Sequence, residues 1–224
     1  VERSPIVESI TATGEIRYDE TRVARLSSKA SGTVWWVEKR VGDRVKQGEM
    51  VALIDAAEVG QVKARLLTAL AEERLQQQFQ NRLQGLADKG IVPGRQFQEA
   101  ETALSQARTQ VLSAQLALIN LGLPIDVDQY RGLSEPEVAS RIQFLGLPKK
   151  ITKRFEPATT TSNLLPVTAP LDGVVATRNV VAGEVVDSAT VLFEVVDTRQ
   201  MWLILNVPLE DAQYVRIGQK AKFL

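Results

Sequence analysis

The chain of 224 residues contains neither cysteine nor histidine. Their absence removes the thiol nucleophile, the most common general base near neutral pH, and the standard ligands of zinc sites. The sequence also has no glycine-rich phosphate loop, and no run of 18 apolar residues that would predict a membrane-spanning helix. Basic and acidic residues number 27 each, and the basic run at residues 149–154 is too short for a nucleic-acid surface. We therefore expect no enzymatic activity, no cofactor, no metal site and no nucleic-acid partner.

A short sequence pattern occurs twice, first near residue 32 and again near residue 173. Each copy contains short β-branched runs separated by glycine and by aspartate or glutamate, which predicts strands joined by tight turns. Because one hairpin buries only one face, we expect the two copies to pack together as a β-sandwich. The turn glycines that we expect to be structural are Gly32, Gly42, Gly48, Gly173 and Gly183. The acidic residues nearby are explained by turn geometry rather than by acid–base catalysis: Asp43, Asp172 and Glu184.

Residues 57–122, between the copies, are dominated by good helix formers. Apolar residues recur at spacings of three and four, which is typical of a coiled-coil interface. They are Val62, Leu66, Ala69, Phe79, Leu83 and Leu86 in the first arm, and Phe97, Ala100, Leu104, Ala107, Val111, Ala114, Leu118 and Leu121 in the second. Gly90 and Pro93 suit a helix end and a helix start. The pattern predicts an antiparallel helical hairpin with arms of roughly 30 residues, about 45 Å long.

The remaining segments are less regular. Residues 123–163 read as a linker with one short helix from Glu135 to Leu145, preceded by the capping-box pair Ser134 and Glu137. Both terminal segments are rich in strand-forming residues, over residues 6–17 and 201–224. The adjacent residues Trp35 and Trp36 lie on a predicted strand, where alternation sends one of them inward.

The two glycine-containing copies resemble the halves of a biotinyl or lipoyl domain, split as in the periplasmic adaptor proteins, also called membrane fusion proteins, of tripartite efflux pumps. The stretches Gly14 to Glu20 and Met201 to Gln219 are similar to the start of that family's β-barrel domain. The resemblance implies an elongated α+β chain in which a lipoyl-like barrel-sandwich hybrid (27–56 and 164–197) is interrupted by the hairpin (57–122) and the linker (123–163). Residues 1–26 and 198–224 then form a partial β-barrel domain. Because the chain begins without Met and stops in a predicted strand, we expect a fragment with both ends trimmed.

The predicted hairpin tip is similar to the arginine–leucine motif with which these adaptors contact an outer-membrane channel. The resemblance assigns that contact to Arg82, Leu83, Leu86, Gly90, Val92 and Phe97. Pro93 stands where the family often has serine, so a serine-dependent contact is not expected here. The alternative interpretation is that the apolar members only close the end of the hairpin, whereas a coiled-coil tip has no structural need for Arg82.

The implied function is that of an adaptor between an inner-membrane efflux transporter and an outer-membrane channel. It implies a ring of subunits, six by family resemblance, in the periplasm of a Gram-negative bacterium at the inner membrane. The terminal stretches look most like adaptors of the heavy-metal branch of resistance-nodulation-division transporters. Only Met50 and Met201 could offer thioether ligands, so direct metal binding is not expected. Alternatives are an adaptor of an ATP-driven exporter or a type I secretion machine, a biotin or lipoyl carrier, and a purely structural coiled coil.

Overall fold

The computed structural model describes residues 9–87, 93–153, 155–156 and 159–222. It contains a β-sandwich, a long helical hairpin, a short helical linker and a two-stranded terminal ribbon. In chain order the strands are β1 (Thr13–Tyr18), β2 (Val23–Ser27), β3 (Gly32–Val37), β4 (Arg44–Val45), β5 (Met50–Asp55), β6 (Leu164–Thr168), β7 (Gly173–Arg178), β8 (Val185–Val186), β9 (Val191–Val196) and β10 (Met201–Asn206). The α+β fold class predicted from the sequence is confirmed.

The sandwich consists of two four-stranded antiparallel sheets, and each sheet contains two strands from each half of the chain. One sheet has the order β2-β9-β7-β4, and the other has the order β6-β5-β3-β8. Replacing each first-half strand by its second-half counterpart converts one sheet into the other, so the sequence repeat is a structural repeat. Residues 23–26, which the sequence analysis placed with the terminal strands, belong to β2 and pair with β9 inside the sandwich.

The core of the sandwich explains why the halves need each other. Val34 and Val175, which occupy equivalent positions in the two copies, are 1% and 0% exposed. The buried side chains of β5 and β9, including Ile54 and Phe193, come from both sheets and join one continuous apolar cluster. Each half alone would leave its inner face in water, which is unfavourable by about 25 cal/mol per Å² of apolar surface.

The helical hairpin is inserted into a β-hairpin of the sandwich. The chain leaves β5 at Asp55 and returns to β6 at Leu164, and these two residues are register partners in the sheet. Helix α1 spans Ala57–Ala87 and packs against helix α2, which spans Gly94–Asn120. Pro93 immediately precedes α2. Residues 88–92, which include Gly90 and Val92, lie outside the described part of the chain.

The buried face of α2 follows the predicted spacing, with Ala100, Leu104, Ala107, Val111, Ala114 and Leu118 all buried. The matching face of α1 is narrower than the sequence pattern suggests. Phe79 and Leu86 are 42% and 36% exposed, although Leu83 between them is buried. A rod of two helices covers only one stripe on each helix, so residues at the edge of the stripe keep contact with water.

The linker folds back against the base of the hairpin. It contains a 3-10 turn at Val127–Tyr130, helix α3 (Glu135–Gln143) and the four-residue helix α4 (Lys149–Thr152). The backbone N–H of Ser134 donates to the Glu137 carboxylate at 3.0 Å, as the capping-box pattern predicts, and the Ser134 hydroxyl donates to the same carboxylate at 2.7 Å. Val138 and Ile142 on α3 are buried in the same cluster as the sandwich core.

The terminal strands β1 and β10 pair with each other as an antiparallel ribbon separate from the sandwich. Every residue of both strands is exposed. After Asn206 the described residues contain a 3-10 turn at Ala212–Tyr214 and no strand. The strand-rich pattern therefore ends earlier than expected, because a strand forms only where a second strand supplies its hydrogen bonds.

Neither member of the tryptophan pair is buried: Trp35 is 40% and Trp36 is 45% exposed. The expected alternation fails because the pairing of β3 with β5 shifts register between Val34 and Trp36. A bulge of this kind changes the direction of the side chains that follow it. Trp35 contacts Phe155 edge-on, with ring centroids 4.8 Å apart, and the indole N–H of Trp36 donates to Glu38.

Candidate functional site

The described part of the hairpin tip divides the predicted contact residues into two groups. Leu83 is 8% exposed and Phe97 is half-buried, so these two side chains pack within the hairpin end. Leu86 is 36% exposed, and Arg82 is exposed and has no ion-pair partner among the described residues. Arg82 and Leu86 are therefore the accessible residues of the set. Gly90 and Val92 stay predictions, because they lie outside the described residues.

Three of the predicted glycines have a backbone conformation that L side chains rarely adopt. Gly42, Gly48 and Gly183 have φ values of +91°, +79° and +89°. The N–H of Gly42 donates to the carbonyl of Val175 at 2.9 Å, and the N–H of Gly183 donates to that of Val34 at 2.7 Å. The equivalent turns at Gly42 and Gly183 are thus each hydrogen-bonded to a strand of the other copy, β7 and β3 respectively.

Gly32 and Gly173 do not lie in turns but open strands β3 and β7. A Cβ at Gly32 would collide with the carbonyl oxygen of Asp55, and a Cβ at Gly173 would collide with that of Val196. The missing side chain therefore lets neighbouring backbones approach closely at equivalent places in the two halves.

The acidic residues of the turns are occupied by backbone hydrogen bonds. The Asp43 carboxylate accepts from the N–H of Arg40 at 2.8 Å, and Glu184 accepts in the same way from Val181 at 3.0 Å. Asp172 accepts from the N–H of Gln47 at 2.7 Å and so connects the two copies. These contacts are the turn geometry expected from the sequence.

The burial of one cation was not predicted from the sequence. Lys63 on α1 is 1% exposed, and its ammonium group donates to the carbonyls of Gln143 and Leu164, at 3.0 and 3.4 Å. It thus joins the hairpin base to the end of α3 and the start of β6. Burial lowers the pKa of Lys63 to about 8. Nothing in the local sequence indicates this, because the residues that cover Lys63 come from distant parts of the chain.

A buried anion, Glu73, lies on α1 ten residues after Lys63. The sequence shows Glu73 only as a polar interruption of the apolar stripe, but its carboxylate is bridged by two guanidinium groups. Arg131 of the linker approaches to 3.0 Å and Arg108 of α2 to 3.6 Å. Glu73 therefore connects both arms of the hairpin to the linker.

The described residues hold no group of three or more histidine, cysteine, aspartate or glutamate side chains arranged to bind a metal ion. Over the same residues, no helix combines the length and the apolar character needed to cross a lipid bilayer.

Curated proteins align with most or with part of this chain. The cobalt-zinc-cadmium resistance protein CzcB of Cupriavidus metallidurans is 26% identical over 208 residues, which are 93% of this chain and 34% of CzcB. The nickel and cobalt resistance protein CnrB of the same bacterium is 33% identical over 91 residues, covering 41% of this chain and 23% of CnrB. The chain thus spans about a third of the length of CzcB.

Solved structures share the fold. ZneB from Cupriavidus metallidurans superposes with a TM-score of 0.58 at 21% identity, covering 92% of this chain and 73% of ZneB. A MacA–MexA chimera that carries the Pseudomonas aeruginosa MexA α-hairpin domain gives a TM-score of 0.54 at 20% identity, covering 90% of this chain and 55% of the chimera. At these identities the likeness establishes the architecture alone.

A family model described as a CzcB-like barrel-sandwich hybrid domain matches residues 22–197. That match starts next to β2 and ends just after β9, so it covers the whole sandwich together with the inserted helices and linker. The resemblance found in the sequence is confirmed. This chain, with its split sandwich and inserted hairpin, therefore belongs to the CzcB-like barrel-sandwich hybrid family.

Proposed function

We propose that the chain is the central part of a periplasmic adaptor subunit that bridges an inner-membrane efflux transporter and an outer-membrane channel in a tripartite export pump. The observation that carries the proposal is the insertion of a long helical hairpin between the paired residues Asp55 and Leu164 of a split sandwich. The exported substrates are heavy-metal cations, as the names of the relatives CzcB and CnrB suggest.

The proposed mechanism is mechanical. An α2 of 27 residues extends about 40 Å at 1.5 Å per residue, so the tip contacts a partner far from the sandwich. Arg82 and Leu86, the accessible tip residues, contact the channel. The sandwiches of neighbouring subunits pack side by side into a ring of six in the periplasm, at the inner membrane of a Gram-negative bacterium. The terminal ribbon lies on the side of the transporter.

The structure disfavours a role as a biotin or lipoyl carrier. Such a carrier needs an accessible lysine on the turn that joins the two halves. The first lysine after Asp55 is Lys63, which is 1% exposed and hydrogen-bonded to two backbone carbonyls. A side chain held in this way is not available to a modifying enzyme.

The proposal is tested by photo-crosslinking in cells from a reactive amino acid placed at position 86 of the full-length protein, with the captured proteins identified by mass spectrometry. We expect an outer-membrane channel to be captured and the capture to be lost in Arg82→Asp. The matched control is Arg65→Asp, which makes the same charge change at an exposed position near the base of the same helix. Capture that survives Arg82→Asp, or that yields only soluble proteins, contradicts the proposed role of the tip.

A further inference from the structure

A cleft of about 580 Å³ lies between α1 and the linker. Its apolar lining includes Leu67 and Leu70 of α1, Leu133 of the linker and Val138 of α3. The three leucines are only half-buried, so apolar surface faces the cleft. The volume is in the range of small-molecule sites, which are typically apolar with a few converging polar groups.

Most of the charge at the rim of the cleft is already matched. The buried Glu73 carboxylate, 7% exposed, receives Arg131 at 3.0 Å and Arg108 at 3.6 Å. Arg131 also pairs with Asp128 at 2.5 Å. These contacts fix the position of two guanidinium groups and use the carboxylate that could otherwise have neutralised a third.

That third guanidinium belongs to Arg74, one residue after Glu73 on α1. Its Nη1 donates to the backbone carbonyl of Leu133 at 3.1 Å, which holds the side chain across the cleft. Among the described residues no carboxylate lies within 4.0 Å of it. The remaining carboxylate of the lining, Glu135, lies in the first turn of α3, where the positive end of the helix dipole favours it.

We propose that this cleft binds a small amphiphile with one anionic head group, a carboxylate or a phosphate. The apolar body covers Leu67, Leu70 and Leu133, and the head group accepts hydrogen bonds from the free donors of Arg74. A guanidinium presents paired N–H groups that match both kinds of anion. A cationic amphiphile meets the unmatched charge of Arg74 and is rejected. This inference does not depend on the proposed adaptor role.

The test is isothermal titration calorimetry of the purified protein with four probes that share a ten-carbon tail, below their micelle concentrations. The probes are decanoate, decyl phosphate, decylamine and decanol. We expect one saturable site for decanoate or decyl phosphate and at least about tenfold weaker binding of decylamine and decanol. The preferred anion identifies the head group. Absence of saturable binding by both anions, or equal binding of decanol, overturns the proposal.

Two variants locate the site. Arg74→Gln removes the charge and is expected to weaken binding of the preferred anion about tenfold, while decanol binding stays the same. The control Arg65→Gln makes the same change on the other side of α1, where Arg65 lines a groove away from the linker, and leaves affinity unchanged. Leu67→Asn should weaken both the anion and decanol, because it removes apolar contact area. Equal affinity in Arg74→Gln and Arg65→Gln refutes the assignment of the head group to Arg74.

Discussion

Replacing the buried Lys63 by methionine should remove a pH dependence from the stability of the protein. The folded state lowers the pKa of Lys63 from 10.5 to about 8, and the cause is loss of hydration. Between these two pH values the unfolded chain binds the proton more tightly than the folded chain does. The free energy of unfolding contributed by Lys63 therefore rises from pH 8 to pH 10.5 and is constant below and above that window.

The size of the effect follows from the shift. A difference of about 2.5 pKa units corresponds to about 3 kcal/mol, because each unit is worth about 1.36 kcal/mol. Methionine has a similar length and no charge, so Lys63→Met removes this penalty below pH 8. It also removes the ammonium donor from the buried carbonyl of Leu164, which costs about 1–3 kcal/mol. The two contributions nearly cancel at pH 7, whereas on going to pH 10.5 only the wild-type protein gains the stability contributed by Lys63.

The assay is denaturant unfolding of both proteins at a series of pH values from 7 to 11, with the difference in unfolding free energy plotted against pH. Tyrosines and the other lysines titrate in both proteins and cancel in this difference. We expect the wild type to gain about 3 kcal/mol relative to Lys63→Met across the window. A flat difference would show that water reaches Lys63 and that its pKa is ordinary. A wild type that loses stability with rising pH would mean that an acidic partner holds the proton.

Two further predictions compare matched pairs of substitutions by the same denaturant unfolding. Gly32→Ala is expected to lower the free energy of unfolding by more than about 3 kcal/mol or to prevent folding, because the new Cβ collides with the Asp55 carbonyl. Gly85→Ala, in open space on α1, is expected to stabilise the protein by about 0.5–1 kcal/mol. Similar stabilities for the two variants would contradict the close approach of the backbones at Gly32. Leu118 is 0% exposed, and Leu118→Ala should lower the free energy of unfolding by about 3 kcal/mol. Leu116 is 51% exposed, and Leu116→Ala should lower it by less than about 0.5 kcal/mol. Equal losses would show that the buried face of α2 lies elsewhere.

Local patterns were enough to predict the sandwich and the hairpin. The repeated glycines could be found in the sequence because each of them meets a backbone requirement that no other residue meets easily, a positive φ at Gly183 or a close approach at Gly173. The buried stripe of α2 could be found because apolar side chains on one helical face repeat with a fixed spacing. Both signals depend on residues that are near one another in the chain.

The sequence was less informative where distant segments decide the environment. From the sequence, residues 1–26 are assigned to a partial β-barrel domain, and only the pairing of β2 with β9 shows that residues 23–26 belong to the sandwich. The bulge at Trp35, which leaves Trp36 exposed instead of buried, arises from the register between β3 and β5. Lys63 looks like a solvated lysine until α3 and β6 cover it. The contact role of the tip residues stays a prediction, because no contact partner is visible from one chain.

Because Asp55 and Leu164 are paired in the sheet, the length of the helical hairpin can change without altering the sandwich. Residues 57–163 connect the paired strands β5 and β6. The pairing of these strands holds the two ends of the connection side by side, whatever its length. Adding one heptad to each arm would extend the rod by about 10 Å without changing a single contact in the sandwich. The reach of the hairpin can therefore change in this architecture while the sandwich stays the same.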